Sequence, residues 1–154
     1  MTKTLSTIAI ISIGAFAGNM INIGLSYGLH WRSLTPVEFM DTFAVDFPLL
    51  LGPTVVTLLP AFIVTAVLYF LSNKGSDAKR YWLFALVGLL IVNVQTAVYH
   101  LPLNLQFISQ SIDPAIVGAR LQSWLLFHWI RVAIAIVVGV FAIKAFESSL
   151  NNEK

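Results

Sequence analysis

The chain has 154 residues, of which 58% are hydrophobic and only 10% charged, where soluble domains carry about 25% charged residues, so the composition excludes an ordinary aqueous domain. A formal net charge of +2 is too small to suggest nucleic-acid binding, and the basic residues lie mostly beside apolar segments, where they bear on topology. Cysteine is absent, which removes disulfides, thiolate nucleophiles, iron–sulfur clusters and thiolate metal sites, and restricts any metal to His, carboxylate or carbonyl ligands.

Four apolar runs, at about 5–30, 48–72, 81–103 and 121–146, each supply the roughly 20 residues that a bilayer-spanning helix needs. They predict an all-α protein, an integral membrane four-helix bundle, with residues 1–154 forming a single domain. The connections fall at 31–47, 73–80 and 104–120. The first run follows Lys3, and "AFA" at 15–17 resembles a signal-peptide cleavage site, but the apolar stretch continues to about Leu29 and is better read as a span. On that helix Asn19, Asn22, Ser26 and His30 project within about 80° of one another as a polar seam. "GAFAG" (14–18) and "GLSYG" (24–28) are small-residue motifs of the kind that let membrane helices approach closely.

The 31–47 connection, "WRSLTPVEFMDTFAVDF", mixes acids with Phe39, Phe43 and Phe47 and is expected as an interfacial loop or a short amphipathic helix. The second span offers only the hydroxyls of Thr54, Thr57 and Thr65 beside Pro53 and Pro60. The third carries Asn93, Thr96, His100 and Asn104 as a seam, and Pro102, which cannot donate to the carbonyl of Val98, should loosen the helix next to His100. In the fourth, Arg120, Trp124, His128 and Arg131 share one face. Trp31, Tyr81, Trp82, Trp124 and Trp129 fall toward the span ends, as interfacial aromatics do.

If the spans alternate, Lys3, Lys74, Lys79, Arg80, Lys144 and Lys154 share one side, while Arg32 and Arg120 face Glu38, Asp41, Asp46 and Asp113 on the other. The positive-inside rule then places both termini in the cytoplasm of a multi-pass protein of a bacterial inner membrane. All three histidines fall in the outer half. A histidine and an arginine three residues apart in "WLLFHWIR" (124–131) need a polar interior, because a charge at bilayer depth costs roughly 2.5–3.5 kcal/mol on the most lenient scale.

"HLPLN" at 100–104 followed by "RLQSWLLFHWIR" at 120–131 resembles the P-x-N then W-x3-H-x2-R pattern of the anthrone-oxygenase-like family of small four-helix membrane proteins. "LTPVEFMDTF" and the proline-bearing second span are also similar, and the specific part rests on Pro102, Asn104, Arg120, Trp124, His128 and Arg131. The resemblance implies oxidation of anthrones to anthraquinones for a few fungal members, and it implies neither a substrate for this chain nor a cofactor.

Three functions compete. The first is an oxidoreductase, needing no metal, that meets a lipophilic phenolic, anthrone-like or quinol-like small molecule in a polar cavity. In it His128 is the base, Arg131 and Arg120 hold the developing anion, Asn104 donates a hydrogen bond, and Trp124, His100 and Asn22 line the substrate. The second is a metal or haem module in which His30, His100 and His128 ligate copper, iron or haem, although short ligand motifs are missing. The third is an accessory subunit whose polar seams serve packing. Expected partners are the lipid bilayer, a small hydrophobic ligand and a second copy of the chain.

Overall fold

A computed structural model describes residues 2–151. It is all-helical among these residues. Four long helices follow one another: α1, Thr2–Arg32; α2, Pro36–Leu71; α3, Asp77–Ile108; and α4, Pro114–Asn151. Each is long and apolar enough to cross a membrane, as expected of a multi-pass integral membrane protein. At 1.5 Å per residue, the 36 residues of α2 reach about 54 Å, well beyond a hydrocarbon core of about 30 Å.

The connections are short because the helices extend into what composition alone marks as loops. "TPVE" is a helix-start signal: Thr35 and Glu38 form a capping box and Pro36 occupies the first turn. The 31–47 segment is therefore helical from Pro36 onward, in one continuous helix with the second span. Pro114 likewise opens α4, with the Asp113 carboxylate accepting from the amide of Ala115 at 2.9 Å. Ser76 caps α3 by accepting from Lys79. Gly75, with φ +79°, supplies the left-handed residue that the α2–α3 turn requires.

Packing is a ring of sequential neighbours: α1 on α2, α2 on α3, α3 on α4 and α4 back on α1. The core has two parts. Near the termini it is built from small side chains, Ala9, Ala61, Ala85, Ala142 and Ala145, around Trp82. At the opposite end it is aromatic, with Phe16, Trp31, Phe39, Phe43, Phe107 and Trp124. Phe39, Phe43 and Phe47 recur every fourth residue, so one face of α2 presents all three rings, and Phe43 lies 4.9 Å from Trp31 and 5.4 Å from Phe107 between centroids.

Two departures from the expected helices shape the interior. Ile23–Tyr27 and Thr96–His100 are π-helical turns. In the second, the amide of Leu101 bonds back to Thr96, directly before Pro102, where the missing donor loosens the helix. Trp31, Trp82 and Trp124 are buried in the bundle and do not form an interfacial belt; of the four tryptophans only Trp129 is exposed. Lys154, one of the cations used for orientation, lies outside the described residues.

Candidate functional site

Between the aromatic end of the core and the middle of the bundle lies a cavity of about 210 Å3. Its walls are Trp31, Phe43, Phe47 and Trp124, with Met20 and Leu50 beside them. The polar groups facing it are few: Thr54, Thr96, Asn104 and Arg131. An apolar, largely preformed hollow with a small convergent polar set has the character of a small-molecule site.

Each polar group is held by a bond from another helix. The indole of Trp124 donates to Oδ1 of Asn104 at 2.7 Å, tying α4 to α3 and leaving the Asn104 amide nitrogen as a spare donor. The guanidinium of Arg131 donates through Nη1 to the Thr96 hydroxyl at 3.0 Å, and its Nη2 lies 2.9 Å from Nδ1 of His128. Its Nε is buried and unpartnered. Neither partner of Arg131 is an acid, and the residue is only 6% exposed. A buried cation is costly to hold without a counter-charge, and none of the partners of Arg131 supplies one.

His128 is fully buried, and its Nε2 lies 2.8 Å from the carbonyl of Met20 on α1. A carbonyl only accepts, so Nε2 carries the proton, and Nδ1 is left with the lone pair that takes the hydrogen bond from Arg131. In this arrangement both His128 nitrogens have partners and the imidazole is neutral, and its Nδ1 holds one end of the Arg131 guanidinium. The indole of Trp124 stacks on it, with centroids 5.1 Å apart and planes within 7°.

His100 lies on the other side of Trp124, edge to face at 5.2 Å. It is fully buried, and the backbone carbonyls of Gln95 and Trp124 face it, yet neither ring nitrogen completes a hydrogen bond. The π-turn carries Thr96 and His100 at its two ends, so one stretch of loosened helix supplies both the hydroxyl that holds Arg131 and the free imidazole.

Of the sequence-derived candidates, Asn104, Trp124, His128 and Arg131 come together and His100 adjoins them, whereas Asn22, His30 and Arg120 do not. All three are exposed. Asn22 accepts from Ser26 at 2.9 Å on the outer face of α1, so the outer part of that polar seam turns away from the site, while Asn19 donates to the cavity-lining Thr54 at 3.0 Å. The inward stripe of α1 is otherwise Phe16, Met20, Ile23 and Trp31. Arg120 lies one helical turn before Trp124 but outside the packed face. The three histidines form no common ligand set: the Trp124 ring separates His100 from His128, His30 is outside, and among the described residues no group of three His, Cys, Asp or Glu side chains is placed to hold a metal.

Sequence reasoning missed the carbonyl of Met20, for which no side-chain signal exists, and the wall formed by Phe43 and Phe47. The "TPVE" capping motif ahead of the four-residue aromatic spacing was the signal for that wall. Trp31, read as interfacial, is a wall too, its indole nitrogen donating to Asp46 at 2.8 Å.

The sequence profile described as anthrone oxygenase matches residues 39–141, which include every cavity residue on α2, α3 and α4 named above. The chain belongs to the anthrone oxygenase family. The matched region holds Pro102, Asn104, Arg120, Trp124, His128 and Arg131 and stops short of α1, which adds the Met20 carbonyl and the Trp31 wall. No curated protein and no solved structure matches the chain.

Proposed function

We propose that the protein is an anthrone-oxygenase-like oxidoreductase that binds a flat, lipophilic phenolic, anthrone-like or quinol-like molecule in this cavity and stabilises its conjugate base for reaction with dioxygen. The carrying observation is Arg131, a buried guanidinium without an acidic partner beside an apolar, aromatic-walled hollow. Removing a proton from a phenol or from the ring methylene of an anthrone creates an oxyanion, and Arg131 with the spare amide donor of Asn104 complements that charge. The low-dielectric surroundings strengthen the pairing.

For a methylene substrate the balance is simple. Loss of one proton gives an enolate, and its carbon reduces and bonds O2 to form a peroxide, which takes a proton. Loss of the second hydrogen with cleavage of the O–O bond then leaves a carbonyl and one water. The proposed proton acceptor is His100, which packs behind the Trp124 wall with neither ring nitrogen completing a hydrogen bond, while His128 serves as a positioning residue. Thr96 and Asn104 fix the polar side, and Trp124 with Trp31 and Phe43 sandwich the rings.

Residues 1–154 on this reading act as one transmembrane domain. Both termini lie in the cytoplasm, in keeping with the basic residues near the terminal end, and the cavity lies in the outer half of a bacterial inner membrane. The test is oxygen uptake by the protein in liposomes supplied with anthrone. Uptake above empty liposomes that disappears in Arg131→Met and His100→Gln supports the proposal, and uptake unaffected by both substitutions overturns it.

A further inference from the structure

We infer that the cavity is loaded sideways from the bilayer, through a portal between α2 and α3 whose lips are Leu51 and Leu101. What enters rests on the reading above; the route rests on separate observations. Leu51 and Leu101 both line the cavity and are also 47% and 44% exposed on the outer surface of the bundle. They sit on adjacent helices. Two side chains that touch an internal hollow and the lipid at once mark the place where the wall is one residue thick.

Both lips are mounted on weakened helix. Leu51 lies between Pro48 and Pro53, which cannot donate to the carbonyls of Ala44 and Leu49. Leu101 lies between the π-turn at Thr96–His100 and Pro102. Loss of regular hydrogen bonds on both sides lowers the cost of a local outward swing.

The alternatives are closed or lead elsewhere. A depression of about 230 Å3 at the end remote from the termini, with Arg32 and Gln122 on its rim, meets the cavity only at Trp31, which lines both. That indole is 1% exposed, bonded to Asp46, and packed on Phe39, Phe43 and Trp124. The larger apolar groove of about 550 Å3 along α3 and α4 contains none of Asn104, Trp124 or Arg131. The entrant is therefore a membrane-dissolved molecule, thin enough to pass between two leucines.

The chain has no cysteine, so a thiol introduced at Met20, inside the cavity, reports access without background. In liposomes, Met20→Cys should react with the membrane-soluble reagent N-phenylmaleimide and stay unreactive toward a charged, membrane-impermeant methanethiosulfonate. Adding Leu51→Trp or Leu101→Trp should slow the maleimide reaction by at least about tenfold, a barrier change of about 1.4 kcal/mol. Val56→Trp and Val98→Trp, at lipid-facing positions outside the cavity, should leave the rate within about twofold, which is about 0.4 kcal/mol. Leu50→Cys, also in the cavity wall, repeats the measurement if Met20→Cys fails to fold. Equal slowing by all four tryptophans, no slowing by any, or rapid reaction with the charged reagent overturns the portal. None of these readouts depends on turnover, so failure of the oxidase reading remains distinguishable.

Discussion

Replacing Arg131 by Met separates a binding role from a packing role. The substitution keeps a long side chain and removes the charge. Two hydrogen bonds to a charged donor disappear, to Thr96 and His128, each worth about 1.5–3 kcal/mol, or about 3–6 together. Against this, the cost of holding a charge at bilayer depth, about 2.5–3.5 kcal/mol, is relieved. The net loss of stability is then about 0–3 kcal/mol, which at roughly 2–4 °C per kcal/mol lowers Tm by about 0–12 °C. A bound oxyanion loses its charged partner, which costs about 2–5 kcal/mol, or about 30-fold to several thousandfold in affinity. The assay is binding of 2-naphthoate and of uncharged naphthalene to purified protein in detergent, read beside thermal unfolding. Naphthoate affinity should collapse while naphthalene affinity changes by less than about threefold, or about 0.7 kcal/mol. A parallel loss of both ligands, or a naphthoate affinity unchanged in folded protein, refutes the argument that Arg131 is an anion site.

His128→Ala should free the guanidinium of Arg131 and weaken naphthoate by about tenfold, whereas His128→Gln, which can donate to Met20 and accept from Arg131, should restore much of it; equal loss in both variants rejects the positioning role. Gly88→Ala drives a methyl into Val138 and should lower stability by about 1–3 kcal/mol, while Gly18→Ala, with open space around it, should be neutral or slightly stabilising on thermal unfolding. Trp124→Phe keeps the ring wall but strands Oδ1 of Asn104, so unfolding should come earlier by about 1–3 kcal/mol; an unchanged Tm means that the bond adds nothing. A reporter fused after Lys154 should be cytoplasmic and cysteines placed at Asp41 or Asp113 should label from outside, with labelling of the 74–80 loop from outside reversing the orientation.

Composition and run length were enough to establish four membrane-length helices, because every backbone polar group in lipid must be satisfied within its own segment, and that demand is local. The spacing of Trp124, His128 and Arg131 was legible for the same reason: residues three and four apart on a helix share a face whatever surrounds it. Which face turns inward was not legible. In water the contrast between apolar core and polar surface marks the inside, but lipid tails are as apolar as a leucine core, so a helix in the bilayer carries apolar residues all round. Inside and outside are then decided by fit. On α1 the large side chains Phe16, Met20 and Trp31 fill the interior, and Gly24 and Gly28 leave room for Trp129 and Leu125 of α4. Of the seam on that helix, Asn22, Ser26 and His30 face out, and only Asn19 reaches inward, to Thr54. At Gly14 and Gly18, the same kind of motif about three turns earlier, an added methyl would meet nothing within 4 Å. The tautomer of His128 likewise lay beyond one-dimensional reading: its proton is placed by a main-chain carbonyl on another helix, 108 residues away in the chain, and only the packed bundle brings that acceptor to the ring.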